Sequence, residues 1–140
     1  MKLNWESEKL KPRMEPGDAG VDLRATEEHR IGVGQMAKVE TGVRAEIPKG
    51  WTGFLLPRSG IKQPWQLANT MGVIDSTYRG VIIAKVFNNT DNPIIIQQYE
   101  RFCQLVVVPC YPVEFIEYAD VDELSDTERG EGGFNSTGSM

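Results

Sequence analysis

Reactive soft side chains are scarce in this 140-residue chain: it has one histidine and two cysteines. His29 stands alone in the polar stretch TEEHR, outside any pocket motif, and reads as a solvated loop residue. Cys103 and Cys110 sit in an apolar run and form no CxxC or Cys/His pattern, so they read as buried, reduced thiols of a cytoplasmic protein. No apolar run approaches the length that spans a bilayer, and the leading MKLNWESEKLK lacks the apolar stretch of a secretory signal. The expectation is therefore no membrane role and a cytoplasmic location. Positive charge is also short: Lys and Arg number 15 against 20 Asp and Glu, for a formal net charge of -5. That balance argues against a protein that grips nucleic acid through its phosphates. A small nucleotide remains open, because local arginines and a divalent metal override the global sign. Long stretches of 3.6-residue periodicity are missing, as are internal repeats.

What is present is the balance of a soluble globular domain, with 40% hydrophobic and 25% charged residues, enough for one core. Val43, Ala45 and Ile47 alternate with Arg44 and Glu46 before the turn at 48–50. Short apolar segments follow at 54–56, 81–87, 94–96, 105–108 and 113–118, separated by Pro-, Asn- and Asp-rich breaks. A turn or two of helix is expected only near 59–63. Ser125 to Glu128 matches a capping box, but Gly130 and the glycines beyond forbid a helix there. The pattern predicts an all-β fold, a jelly-roll-like β-sandwich or barrel over residues 1–118. A linker and flexible C-terminal arm are expected over 119–140.

Five patches carry more Gly, Asp, Arg and Ser than strands or ordinary turns require. In DAGVDLRA, Asp22 lies between Val21 and Leu23, either bonded to structural groups or held ready for a metal's water shell. In PRSG, Arg58 and Ser59 project from a turn, and the N–H groups of Ser59 and Gly60 are placed to form an anion nest. In LANTMGVIDSTYRG, Asp75 stands at a strand-to-turn junction, where a carboxylate can orient and deprotonate a water. The Tyr78 ring can pack on a sugar face and exclude a 2′-hydroxyl, and Asn69 offers a donor and an acceptor to a base edge. The alternative is a hairpin with ordinary turn and core residues. In ERFCQLVV, Gln104 begins a strand and either satisfies its end or reaches into a site. The last patch is the tail RGEGGFNSTGSM. Arg129 suits a phosphate, Phe134 a base, and the glycine-rich backbone phosphate oxygens. Its alternative is a solubilising terminus.

In this order, AGVDL, PRSG, GVIDSTYRG, ERFCQ and RGEGGFNSTG closely resemble the five motifs of the homotrimeric dUTP pyrophosphatases, from Asp18 to Gly138. The resemblance implies a jelly roll assembled as a homotrimer, which hydrolyses dUTP to dUMP and pyrophosphate with Mg²⁺. It implies that Asp75 activates the attacking water and that Asp22 holds the metal through water, the ion resting mainly on the triphosphate. Gln104 is implied near the α-phosphate, and Arg58, Ser59 and Gly60 as phosphate ligands. Asn69 and the backbone of Gly72, Val73 and Ile74 are implied to read uracil, with Tyr78 beneath the deoxyribose. Arg129 is implied as the γ-phosphate clamp and Phe134 as the lid. Gly133, Ser136 and Thr137 are implied to complete the cage, on an arm that crosses to a neighbouring subunit.

The chain departs from the family pattern at Asn135, where glycine is usual, and at Cys103, where alanine is usual. The dCTP deaminases share the fold and several motifs, but they need a catalytic glutamate on the strand after the hairpin. Here that strand reads VIIAKVF and offers only Lys85. A regulatory or binding protein on the same fold is the other alternative.

Overall fold

A computed structural model describes residues 1–59, 65–117, 122 and 124–131. The strands, in chain order, are β1 (Lys2–Trp5), β2 (Gly20–Arg24), β3 (His29–Ile31), β4 (Met36–Glu40) and β5 (Val43–Glu46). They continue with β6 (Trp51–Pro57), β7 (Gln66–Leu67), β8 (Gly72–Ile74), β9 (Ile83–Phe87), β10 (Ile94–Ile96) and β11 (Arg101–Pro109). A 3-10 turn spans Glu8–Leu10. Among the described residues no helix is long and apolar enough to cross a membrane.

Every strand pair is antiparallel. One sheet has the order β2-β11-β6-β8 and another the order β4-β9-β7, with two-stranded pairs β1-β5 and β10-β3 beside them. This is the all-β, jelly-roll-like arrangement that the short, turn-separated apolar segments predict. Several strands bury alternate residues. β2 turns Val21 and Leu23 inward and leaves Gly20, Asp22 and Arg24 on its other face. β9 buries Ala84 and Val86 and exposes Ile83 and Lys85. The inward sets meet in one core in which Leu23, Val39, Val43, Ile82, Val86, Ile96, Phe102 and Leu105 are fully buried. Non-directional burial of these side chains, at about 1.5–3 kcal/mol each, is the main force closing the sheets.

β11 deserves its central position because it pairs on both sides, with β2 and with β6. A register shift falls between Arg101 and Cys103 on the β2 side. One extra residue in a strand breaks the in-out alternation. Phe102 and Cys103 are consequently both buried, and Arg101 and Gln104 both emerge on the face that carries Asp22.

Several expectations need correction. Residues 113–117 form no strand; Val113 and Phe115 are 75% and 92% exposed, with no strand to pair with among the described residues. Tyr118 lies outside the described residues, as do 60–63 of the expected helical turn. Cys110 is exposed, because β11 ends at Pro109, and only Cys103 is buried. His29 belongs to β3, not to a loop. Pairing with β10 leaves its side chain only 15% exposed, and its buried Nε2 has no hydrogen-bond partner. Val81 and Ile82 precede β9 rather than belonging to it, since the Ile82 N–H donates to the Val43 carbonyl instead. Gln104 stands inside β11, not at its start.

Candidate active site

Arg58 is the first residue after β6, and its guanidinium turns back across the sheet. Its Nε donates to Asp22 Oδ1 at 2.7 Å and its Nη1 to the Arg101 carbonyl at 3.2 Å. Arg101 Nη1 donates to Asp22 Oδ2 at 3.1 Å. Both oxygens of one half-buried carboxylate are thus held by charge-assisted bonds, which fixes its orientation. Gln104 is the register partner of Asp22, and its Nε2 donates to the Pro57 carbonyl at 2.9 Å. Gly20 makes room for that amide: a Cβ there would lie 2.3 Å from Gln104 Oε1.

These groups line a polar cavity of ≈ 340 Å³, whose wall includes Asp22, Arg58, Ser59, Gln104, Arg13 and Asp18. The guanidiniums of Arg58 and Arg13 and the Gln104 amide line it beside the carboxylates of Asp22 and Asp18, a mixed wall whose cations suit phosphate oxygens. The adjoining Cys103 is no nucleophile. Burial pushes its thiol far above the usual range, Asp22 adds to the effect, and Arg58 opposes it.

A second group of candidate residues lies on the hairpin around β8. Asn69 occupies the turn after β7, and a Cβ on Gly72 would be 3.7 Å from its Nδ2, so the amide rests against the start of β8. Gly72, Val73 and Ile74 pair with Leu55, Phe54 and Gly53 on β6, and Val73 is 59% exposed. Asp75 follows at the strand end, exposed, with its carbonyl accepting the Tyr78 N–H at 3.0 Å. The Tyr78 hydroxyl donates to the Val81 carbonyl at 2.8 Å. Its ring folds over Gly80, where a Cβ would meet the phenol oxygen at 2.4 Å. Arg79 Nη1 braces the turn by donating to the Ser76 and Tyr78 carbonyls.

The two groups do not meet within one chain. In the order β2-β11-β6-β8, Asp22 sits on the first strand and Asp75 just past the last. Three strand spacings separate them, roughly 14 Å. Asp75, Asn69 and Tyr78 are absent from the wall of the Asp22 cavity. Arg129 is exposed beside a turn in which the Gly130 N–H donates to the Thr127 carbonyl at 3.1 Å. Gly60, Gly133, Phe134, Ser136 and Thr137 lie outside the described residues.

Among the described residues no cluster of three or more His, Cys, Asp or Glu could hold a metal ion unaided. One fixed carboxylate beside phosphate-type donors fits an ion that keeps much of its water and takes its remaining ligands from a substrate's phosphates, the habit of Mg²⁺.

Sequence reasoning missed Arg13 and Asp18 in the cavity wall and left Arg101 without a chemical role. Arg13 reaches the site because its backbone pairs with that of Asp22 in an isolated bridge, a long-range contact with no local signal. Arg101 arrives through the register shift in β11. Asp18, four residues before Asp22, was the most readable of the three.

The dUTPase family model matches residues 6–138. The deoxyuridine 5'-triphosphate nucleotidohydrolase of Escherichia phage T5 is 44% identical over 129 residues, covering 86% of this chain and 86% of its own length. That of Cutibacterium acnes is 44% identical over 126 residues, covering 88% and 81%. Among solved structures, a mutant dUTPase of Staphylococcus bacteriophage 80alpha with dUpNHpp superposes with a TM-score of 0.85 at 25% identity, covering 99% of this chain and 98% of that one. The dUTPase of Streptococcus mutans gives 0.75 at 30% identity, covering 82% and 100%.

Proposed function

The chain belongs to the dUTPase family, and on that premise we propose that it hydrolyses dUTP to dUMP and pyrophosphate in the cytoplasm, with Mg²⁺ as cofactor. The observation that carries this reading is the cavity in which Asp22, Arg58, Ser59 and Gln104 converge. Its donors suit a triphosphate, and its one fixed carboxylate suits the water shell of an ion that the triphosphate brings.

Asp75 is the general base. It takes a proton from water as the water oxygen bonds to the α-phosphorus, and the bond from that phosphorus to the bridging oxygen of pyrophosphate breaks. Gln104 orients the α-phosphate, while Arg58 and Ser59, with Gly60, bind phosphate oxygens. Asp22 is the residue that would hold Mg²⁺, through water, and the ion when bound offsets phosphate charge. Asn69 and the backbone of Gly72, Val73 and Ile74 pair with the uracil edge. Cytosine, with its donors and acceptors exchanged, would leave those groups unsatisfied. Tyr78 packs under the deoxyribose. The arm, residues 119–140, closes late: Arg129 holds the γ-phosphate, Phe134 covers the base, and Gly133, Ser136 and Thr137 complete the cage.

The distance between Asp22 and Asp75 supports assembly. A site containing both takes its hairpin from a second copy, and the family's homotrimer, with each arm crossing to a neighbour, supplies it. The deciding assay measures pyrophosphate release from dUTP, dTTP, dCTP and UTP in the presence of Mg²⁺. Release from dUTP alone is expected; equal rates on all four, or none, would overturn the reading.

A further inference from the structure

Beside the 3-10 turn lies a second cavity, ≈ 480 Å³ in volume, whose wall holds the cations Lys9, Lys11, Arg13 and Arg24; Glu8, also in the wall, pairs with Lys11 at 3.4 Å, and Glu15 pairs with Arg13, so the cations still outnumber the carboxylates. On a chain of formal net charge -5 this is a local reversal of sign. The cations are placed by the fold rather than scattered on it. Tyr99 organises two of them: its carbonyl accepts Arg24 Nη1 at 2.9 Å, and its ring lies 5.2 Å from Lys9 Nζ. Tyr99 does this from a left-handed backbone, φ 66, a conformation a tyrosine rarely adopts and one that surrounding structure must sustain. Its N–H donates to the Ala25 carbonyl at 2.8 Å, which anchors it to the end of β2.

The two cavities share a wall. Arg13 lines both. Its backbone exchanges two hydrogen bonds with Asp22, of 3.1 and 2.8 Å. Guanidiniums bind phosphoryl oxygens through planar forks, and ammonium groups add point charge beside them. A small anion with two phosphoryl groups matches cations spaced around an open trough. A long polyanion would be repelled by the rest of a chain whose formal net charge is -5.

We propose that this trough is a second anion site, which takes inorganic pyrophosphate as it leaves the catalytic cavity past Arg13. The proposal rests on the hydrolytic reading for the source of its ligand, but its test does not. The full-length protein is saturated with dUpNHpp and then titrated calorimetrically with inorganic pyrophosphate. Analogue binding reports on the catalytic cavity; pyrophosphate binding to the saturated protein reports on the trough. If the analogue does not bind, the hydrolytic reading fails, and pyrophosphate titrated into the free protein still reads the trough. We expect one pyrophosphate per chain, with Lys9→Glu combined with Lys11→Glu weakening it by about tenfold or more and leaving analogue affinity unchanged. Lys9→Gln with Lys11→Gln gives the same readout should charge reversal impair folding. Absence of pyrophosphate binding, or binding that survives these substitutions, would overturn the proposal. So would a second analogue bound per chain and lost on substitution, which would make the occupant a nucleotide.

Discussion

Asp22 is held from two sides, by Arg58 and by Arg101, so its position is set before any ligand arrives. Preorganised charge of this kind does not have to reorient during the reaction. Asp75, by contrast, is exposed at a strand end, as the proposed base needs to be to meet water at the cavity of another copy. Replacing it by the isosteric amide, Asp75→Asn, should preserve dUpNHpp affinity and lower kcat by about 10²–10⁴-fold. Steady-state rates alongside calorimetric affinity check this, and unchanged turnover would remove Asp75 from the role of base. Gly20→Ala tests a different point. The added Cβ collides with Gln104 Oε1, so kcat/KM should fall while thermal stability drops by about 1–3 kcal/mol at most. Asp22, Arg58 and Gln104 were legible in the sequence because each sits in a short, chemically odd patch. Arg13 and Arg101 were not. An arginine among charged neighbours carries no mark of the strand it will face.

The register shift in β11 is the element that makes the cavity. By burying Phe102 and Cys103 in succession, it sends Arg101 and Gln104 to the same face as Asp22. Strand 94–96 was read from the sequence with its bounds intact, since a β-branched run between breaks has little else to become. β2, β3 and β4 were not proposed, because their apolar residues are interleaved with charges and short enough to pass for loops. The composition of 113–118 predicts a strand, yet a strand needs a partner, and the described residues offer none to 113–117. On the β8 hairpin, the placement of Tyr78 depends on the bare backbone of Gly80. Gly80→Ala should therefore push the ring aside and, like Tyr78→Ala, narrow the preference for dUTP over UTP. Ratios of kcat/KM for the two nucleotides measure it. Full retention of selectivity in both variants would end the stacking role.

The two carboxylates proposed for the chemistry stand at opposite ends of one sheet, Asp22 on β2 and Asp75 beyond β8. No sequence motif states that the two stand apart, because order along a chain does not encode distance across strands. If two copies complete each site, Asp22→Asn and Asp75→Asn, each strongly impaired alone, should regain activity when refolded together. Random mixing restores up to about a quarter of the sites of a symmetric ring. Pyrophosphate release from the co-refolded mixture measures this, and a mixture as dead as its components would place the whole site within one chain. The split also sets how damage spreads. A chain bearing both carboxamides would spoil its own cavity and the one its hairpin serves. Blending it with intact chains should then lower turnover as the square of the intact fraction, whereas either single lesion gives a straight line.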